Sequence, residues 1–298
     1  MRIVTRPDFD GVVCAVLLYE VLDICEPVKW VEPDDLQKGR IEIRSGDIIA
    51  NLPYNEKCAL WFDHHYTNRI DKAFEGAFKI APSAASIIYD YYSDRLKRDF
   101  RELVEAANKI DSADLTLSEV QHPQKHAYIM LSMTVFNGEN LDEPYWNKLV
   151  ALLRKYDIQR ILDDPQVKQR CSDILQQNQA YVSFLKENTK LNKHVSITDF
   201  RAFIKPPAGN RFLVYTLFPE SYANIRIRYE DKNRDKVTVH VGHSIFNPKC
   251  NVNVGLMLAD FDGGGHRGAG SGRFPAEDAD ANIAKIINTL LENKNNEK

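Results

Sequence analysis

Short apolar runs separated by polar turns set the first half of the chain. Arg2 to Thr5 is spaced as a buried strand, Arg6-Pro7-Asp8-Phe9-Asp10-Gly11 as the turn leaving it, and Val12 to Leu22 as an apolar helix. Val28 to Val31, Ile41 to Arg44, Cys58 to Phe62 and Phe78 to Ala81 predict further strands, and Ser83 stands as the N-cap of a helix over Ala84 to Tyr92. Strands alternating with helices predict an α/β domain with a doubly wound, mainly parallel sheet. A helix from Phe100 to Ile110 delivers Asp111. From Tyr145 to about Asn188 the pattern is again helical, with Trp146, Leu149, Val150, Leu152 and Leu153 on one face.

Beyond Lys193 the texture changes. His194 to Thr198, Arg211 to Phe218, Asn224 to Tyr229 and Lys236 to Gly242 read as strands between polar turns. Ala281 to Leu291 reads as a closing helix, with Ile283, Ile286, Ile287, Leu290 and Leu291 on its buried face, and the tail from Asn293 to Lys298 is expected to fray. The organisation expected is two domains, 1–188 and a smaller α/β domain over 193–298, with the active-site cleft between them. Two pieces of the second stand out, Gly242-His243-Ser244-Ile245-Phe246-Asn247 and the run from Gly263 to Gly272. With Gly255, that run holds seven of the chain's 14 glycines.

Composition narrows the function classes. A chain of 298 residues with 44% hydrophobic content has enough apolar surface for two cores. The formal net charge of −3 supplies no electrostatic footprint for wrapping long duplex nucleic acid, while small anionic substrates stay open. Five widely spaced cysteines without a C-x-x-C pair argue against a disulfide framework or a thiolate zinc site. Met1 to Thr5 lacks the apolar segment of a secretion signal, and no run of about 18 apolar residues appears, so the expectation is a soluble cytoplasmic protein with no membrane partner. Oligomeric state stays open, a homodimer included.

The chemistry lies in the acids at strand exits. Asp8 and Asp10, then Asp47, then Asp63-His64-His65, each follow a predicted strand, and ligands of such sheets bind beyond the strands' carboxyl ends. Hard divalent ions take carboxylate oxygens, and Mn²⁺ accepts imidazole as well. Asp8, Asp10, Asp47 and Asp111 carry four negative charges that two such ions neutralise, and His64 adds a nitrogen. Each residue also has a plain structural alternative: Asp8 and Asp10 as helix caps, Asp47 in a turn, the Asp-His-His run as a solvated loop.

Asp8-Phe9-Asp10-Gly11, Asp47, Asp63-His64-His65 and Ile110-Asp111-Ser112, in that order, resemble the motifs of the DHH phosphoesterase superfamily. Its members include nano-RNases, the single-strand exonuclease of recombination, family II inorganic pyrophosphatases and exopolyphosphatases. Gly263-Gly264-Gly265-His266 looks like the signature loop of the DHH-associated domain, so the resemblance covers both predicted domains.

The resemblance implies one ion on Asp10, Asp47, His64 and Asp111, and a second on Asp8 with Asp47 as the bridge. Mn²⁺ is expected, or Mg²⁺ or Co²⁺. His65 then faces the substrate phosphate and Asp63 orients an imidazole. The sequence departs from the pattern at Val4, which stands where the family carries a histidine, so the second ion is expected to be the weaker. Arg6, close by, holds a substrate phosphate or is simply exposed.

Phosphoester hydrolysis by a metal-activated hydroxide follows, with His65 stabilising the phosphoryl group or protonating the leaving oxygen. In the second domain Gly263, Gly264, Gly265, His266 and Arg267 suit a terminal phosphate, since glycine amides form a concave nest for an anion. Ser244, Asn247, Arg226 and Arg228 are further substrate contacts. The substrate expected is a short single-stranded oligonucleotide or a small terminally phosphorylated nucleotide. Alternatives are an exopolyphosphatase-like phosphoanhydride hydrolase and a degenerate nucleotide-binding module.

Overall fold

The structure is a computed structural model and describes residues 1–135, 142–230 and 233–297. The chain divides into two compact units, Met1–Leu115 with His122–Ser172, and Thr116–Gln121 with Asp173–Lys298.

In the first unit the chain runs β1 (Ile3–Thr5), α1 (Phe9–Val21), β2 (Lys29–Trp30), α2 (Pro33–Gln37), β3 (Ile48–Ala50), β4 (Leu60–Asp63), β5 (Gly76–Phe78), α3 (Ala84–Tyr91) and α4 (Arg101–Asp111). After α5 (Leu117–Gln121), which belongs to the second unit, come α6 (Ala127–Met133), α7 (Glu143–Leu153), α8 (Ile158–Leu162) and α9 (Pro165–Asn188), and α9 passes from the first unit into the second after Ser172. The five strands are parallel in the order β2-β1-β3-β4-β5. Ile3, Ile48 and Phe62 pack into the cluster that holds α1, α3 and α4, while Val4, Ile49 and Trp61 enter a second cluster with Val31, Leu36 and Ile43. Burial on both faces is why these strands are continuous apolar runs rather than alternating ones.

That rule corrects one predicted strand. Ile41 to Arg44 alternates apolar and polar and is irregular here, whereas the unbroken Ile48-Ile49-Ala50 forms β3 and is wholly buried. The long helical stretch is three helices, because Asp157 caps α8 through the Arg160 amide and Pro165 opens α9.

The second unit continues with β6 (Thr189–Asn192), β7 (Val195–Asp199), α10 (Leu213–Leu217), β8 (Ala223–Tyr229), β9 (Lys236–His243), α11 (Val254–Ala259), β10 (Gly264–His266), β11 (Ala269–Pro275) and α12 (Ala279–Glu292). Its six-stranded sheet has the order β10-β11-β9-β8-β7-β6, and β7 and β8 are its parallel pair. Ile225, Ile227, Val239 and Val241 face α11 and α12 in the core. The stretch predicted as a strand over Arg211 to Phe218 is α10 instead: Asn210 accepts the Phe212 amide on its side chain and the Leu213 amide on its carbonyl, which starts a helical turn. The tail does not fray through Glu297. Asn293 and Asn296 accept the amides of Asn251 and Asn253, and Glu297 pairs with Arg267 at 2.8 Å; Lys298 lies outside the described residues. No helix among the described residues is long and apolar enough to cross a membrane.

Candidate metal centre

Register fixes what meets at the carboxyl edge of the first sheet. Thr5 pairs with Ala50 and Ala50 with Phe62, so the residues leaving β1, β3 and β4 come to one edge. These are Arg6 with Asp8, Asn51, and Asp63 with His64 and His65.

Asp10 lies in the first turn of α1 and is buried. Its two oxygens accept the Ala84 and Ala85 amides at 2.9 Å, tying the start of α1 to the start of α3, whose N-cap Ser83 accepts the Ser86 amide. Asp111 closes α4. Between them stands His64, with a side chain only 9% exposed, its Nε2 3.9 Å from Asp10 Oδ2 and 3.3 Å from Asp111 Oδ2. Its Nδ1 lies 3.0 Å from the Ala81 carbonyl, which can only accept, so Nδ1 carries the proton and Nε2 is a bare lone pair. That Nε2 is buried without a partner. Burial, with the neighbouring His65 charge, lowers the His64 pKa and keeps the ring neutral. Burial and the charges of Asp111 and Asp8 push the Asp10 carboxyl well above the usual carboxylate range.

A lone pair aimed at two carboxylates is repulsive until a cation enters. Oxygens of Asp10 and Asp111 and the His64 nitrogen all lie within 4.8 Å of one another, so the residues fit a divalent ion.

Asp63, His64 and His65 are equally close together, but Asp63 is already engaged. Fully buried, it accepts from His65 Nδ1 at 2.8 Å and from Asn68 Nδ2 at 2.7 Å. Burial works against the charged His65 ring, but the Asp63 hydrogen bond and charge outweigh it and raise the His65 pKa. Asp8 caps α1: its Oδ1 accepts the Gly11 amide at 2.8 Å and Asn51 Nδ2 at 3.0 Å, and its Oδ2 lies 3.3 Å from Arg6 Nε.

Asp47 is not in this group. It precedes β3 rather than following it, so it sits at the opposite edge of the sheet, about 13 Å of extended chain from Asn51. There, 2% exposed, it accepts two bonds from the Arg2 guanidinium, at 2.6 and 3.1 Å, and one from the Arg44 amide. The assignment of Asp47 as a bridging metal ligand is therefore corrected, and its cause is the misplaced strand at Ile41 to Arg44. Asn51 holds the strand exit instead. An asparagine leaving an apolar run, four residues after Asp47, is the signal that could have shown it.

In the second unit the glycine run is a hairpin, not an open loop, since Gly264 pairs with Ser271 and Gly265 with Gly270. Close packing explains two of its glycines. A Cβ at Gly263 meets the Ser271 carbonyl at 2.1 Å, and one at Gly265, where φ is +148°, meets the Ala269 carbonyl at 2.3 Å. Of the residues beside it, His266 is exposed and Arg267 is paired with Glu297. Ser244 and Asn247 are engaged locally: Ser244 Oγ accepts the Phe246 and Asn247 amides, and Asn247 Nδ2 donates to the Pro219 carbonyl, so the protein itself uses these groups.

Sequence reasoning named Arg226 and Arg228 but missed the two residues that join them, His240 and Arg273. Arg226 and His240 are cross-strand partners, Ser271 pairs with His240 on the other side, and Arg228 and Arg273 lie near enough to act on the same ring. Burial, with Arg226, Arg228 and Arg273, lowers the His240 pKa to about 4. Alternation along β8 and β9, which gives Arg226 and Arg228 the face opposite Ile225 and Ile227, is the pattern that pointed there.

No family model matches the chain, and no curated protein matches it. Solved structures do. A pGpG-specific phosphodiesterase, PggH, from Vibrio cholerae matches with a TM-score of 0.84 and 29% identity, over 98% of this chain and 99% of that one. An exopolyphosphatase-related protein from Bacteroides fragilis has a TM-score of 0.57 and 14% identity over 98% of this chain and 93% of that one. RecJ in complex with Mn²⁺ from Thermus thermophilus has a TM-score of 0.55 and 10% identity, covering 98% of this chain and 52% of that one. The two more distant structures share the fold. With Asp8, Asp10, Asp63-His64-His65 and Asp111 delivered to one edge of that fold, the chain resembles the DHH phosphoesterase superfamily in both its motifs and its architecture.

Proposed function

We propose that this protein is a divalent-metal-dependent phosphodiesterase that hydrolyses short oligonucleotides or small terminally phosphorylated nucleotides. The observation that carries the reading is the buried, unpartnered Nε2 of His64 facing the carboxylates of Asp10 and Asp111. Mn²⁺ is the ion of choice, because an imidazole nitrogen among carboxylate oxygens suits it better than Mg²⁺. When bound, such an ion supplies Lewis acidity and lowers the pKa of water.

The protein's own residues do the rest. Asp10 and Asp111, with His64, would hold the ion, and the Ala84 and Ala85 amides fix the Asp10 carboxylate in place. Asp63 holds the Nδ1 proton of His65, so His65 presents Nε2, and the nearby charge favours its protonated form. A protonated His65 stabilises a phosphoryl oxygen or delivers a proton to the leaving oxygen. In the second unit, Arg226, Arg228, Arg273 and His240 form a basic face suited to a phosphate, ahead of Ser244 and Asn247.

PggH is named for a linear guanine dinucleotide and is similar over nearly the whole of both chains, which favours a dinucleotide over polyphosphate. The exopolyphosphatase-related structure shares only the fold. Initial rates on pGpG, other 5′-phosphorylated dinucleotides, a nucleoside bisphosphate and inorganic polyphosphate, each with Mn²⁺, Mg²⁺ or Co²⁺, test the substrate class. Dinucleotides are expected to be cleaved to mononucleotides fastest; a preference for polyphosphate contradicts the reading.

A further inference from the structure

The superfamily pattern provides for two ions, and the residues here do not fit the second. That ion requires a histidine four residues before Asp8, a free Asp8 carboxylate, and an acid bridging from the exit of β3. The first position is Val4, fully buried in an apolar cluster with Ile49 and Trp61. The third is Asn51, 1% exposed, which turns its amide donor, not an anionic oxygen, toward the site: Nδ2 bonds Asp8 Oδ1 at 3.0 Å. The opposite orientation of that amide sets an oxygen against a carboxylate, so the donor end is the one that fits. The second group, Asp8, is already satisfied, by Gly11 and Asn51 on one oxygen and by the Arg6 guanidinium on the other.

We infer that this protein holds a single divalent ion, and that Arg6, positioned by Asp8 and Asn51, stands in place of the second as the cationic group that grips the substrate phosphoryl oxygens. The charges balance on that count. Asp47 is answered by Arg2, Asp8 by Arg6, and Asp63 by His65 and Asn68, which leaves the two carboxylates of Asp10 and Asp111 with neutral His64 for one divalent ion. The Arg6 side chain is 40% exposed, so it keeps donors to offer an incoming anion, and a guanidinium suits phosphate in a forked geometry. A fixed cation of this kind stabilises developing phosphoryl charge much as a metal does, without needing to be loaded.

The inference rests on the metal reading of Asp10, His64 and Asp111, and its first test needs no substrate. Mn²⁺ is titrated into the full chain and followed by native mass spectrometry and electron paramagnetic resonance. One ion per chain is expected, and two overturns the inference. Arg6→Gln should still bind one ion while losing about 10- to 100-fold in kcat/KM; unchanged turnover removes the role given to Arg6. The double variant Arg6→Gln/Asn51→Asp, checked for folding by its melting curve, should take up a second ion with an exchange-coupled spectrum. If it folds and still binds one, Asn51 and Arg6 are not what excludes the second ion. The wild-type stoichiometry decides the ion count even if the variant fails to fold. One ion without hydrolysis defeats the proposed activity alone, whereas no ion at all defeats both.

Discussion

Asp47 and Asn51 are four positions apart, and β3 lies between them, so the two stand at opposite edges of the sheet. From sequence the carboxylate was the attractive choice, because an acid between two predicted strands reads as a strand exit. Only β3's placement shows that the acid enters the strand and the amide leaves it. The roles then separate. Asp47→Asn weakens a buried ion pair with Arg2 and costs about 3 kcal/mol of stability, read as a lower denaturant midpoint. Mn²⁺ affinity of the folded variant should stay unchanged; lost affinity at unaltered stability contradicts the placement. His64 and Asp111 were legible because each closes or follows a strongly patterned apolar element. Asp10 was legible as an acid, though not as the group that bonds the start of α3.

At the level of elements, β1, β2 and β4 were readable from their apolar runs, whereas β3 was misplaced, β5 lies earlier than the strand predicted over Phe78 to Ala81, and α10 was not readable, since Leu213-Val214-Tyr215 is buried whichever periodicity it follows. The glycine run, read from sequence as an anion nest, lies in a hairpin packed on α11, whose backbone crowding is itself a reason for glycine. Along β8, β9 and β11 the polar face is where charge gathers, and it makes stability depend on pH. His240 takes a proton in the unfolded chain near 6.5 but in the folded sheet only near 4, so the sheet's contribution is complete above pH 6.5 and is lost as pH falls toward 4. His240→Gln should shrink that acid-side loss by roughly 1 kcal/mol, the full shift being discounted for the ring's partial exposure. Equal slopes for wild type and variant in chemical denaturation between pH 7 and 4 contradict the cost that burial and the three arginines place on the charged ring.

For the molecule as a whole, the order of motifs carried further than any single residue. Asp8, Asp10, Asp63-His64-His65 and Asp111 are spread over about a hundred positions, and the parallel pairing of β1, β3 and β4, with the placement of α4, brings them to one edge of the sheet. What sequence order could not convey is which charges are already neutralised inside the protein. Arg2 and Arg6 each hold an acid that the motif pattern assigns to metal, and those ion pairs depend on sheet register and side-chain reach. The decisive measurement is hydrolysis of a 5′-phosphorylated dinucleotide by wild type and His64→Ala, each with Mn²⁺ and after chelation, with products resolved by ion-pair chromatography. Mononucleotide release by the wild type only with the divalent ion, and a loss on the order of 10³-fold in His64→Ala, is the expected result. Turnover that survives chelation, or that persists in a folded His64→Ala variant, contradicts it.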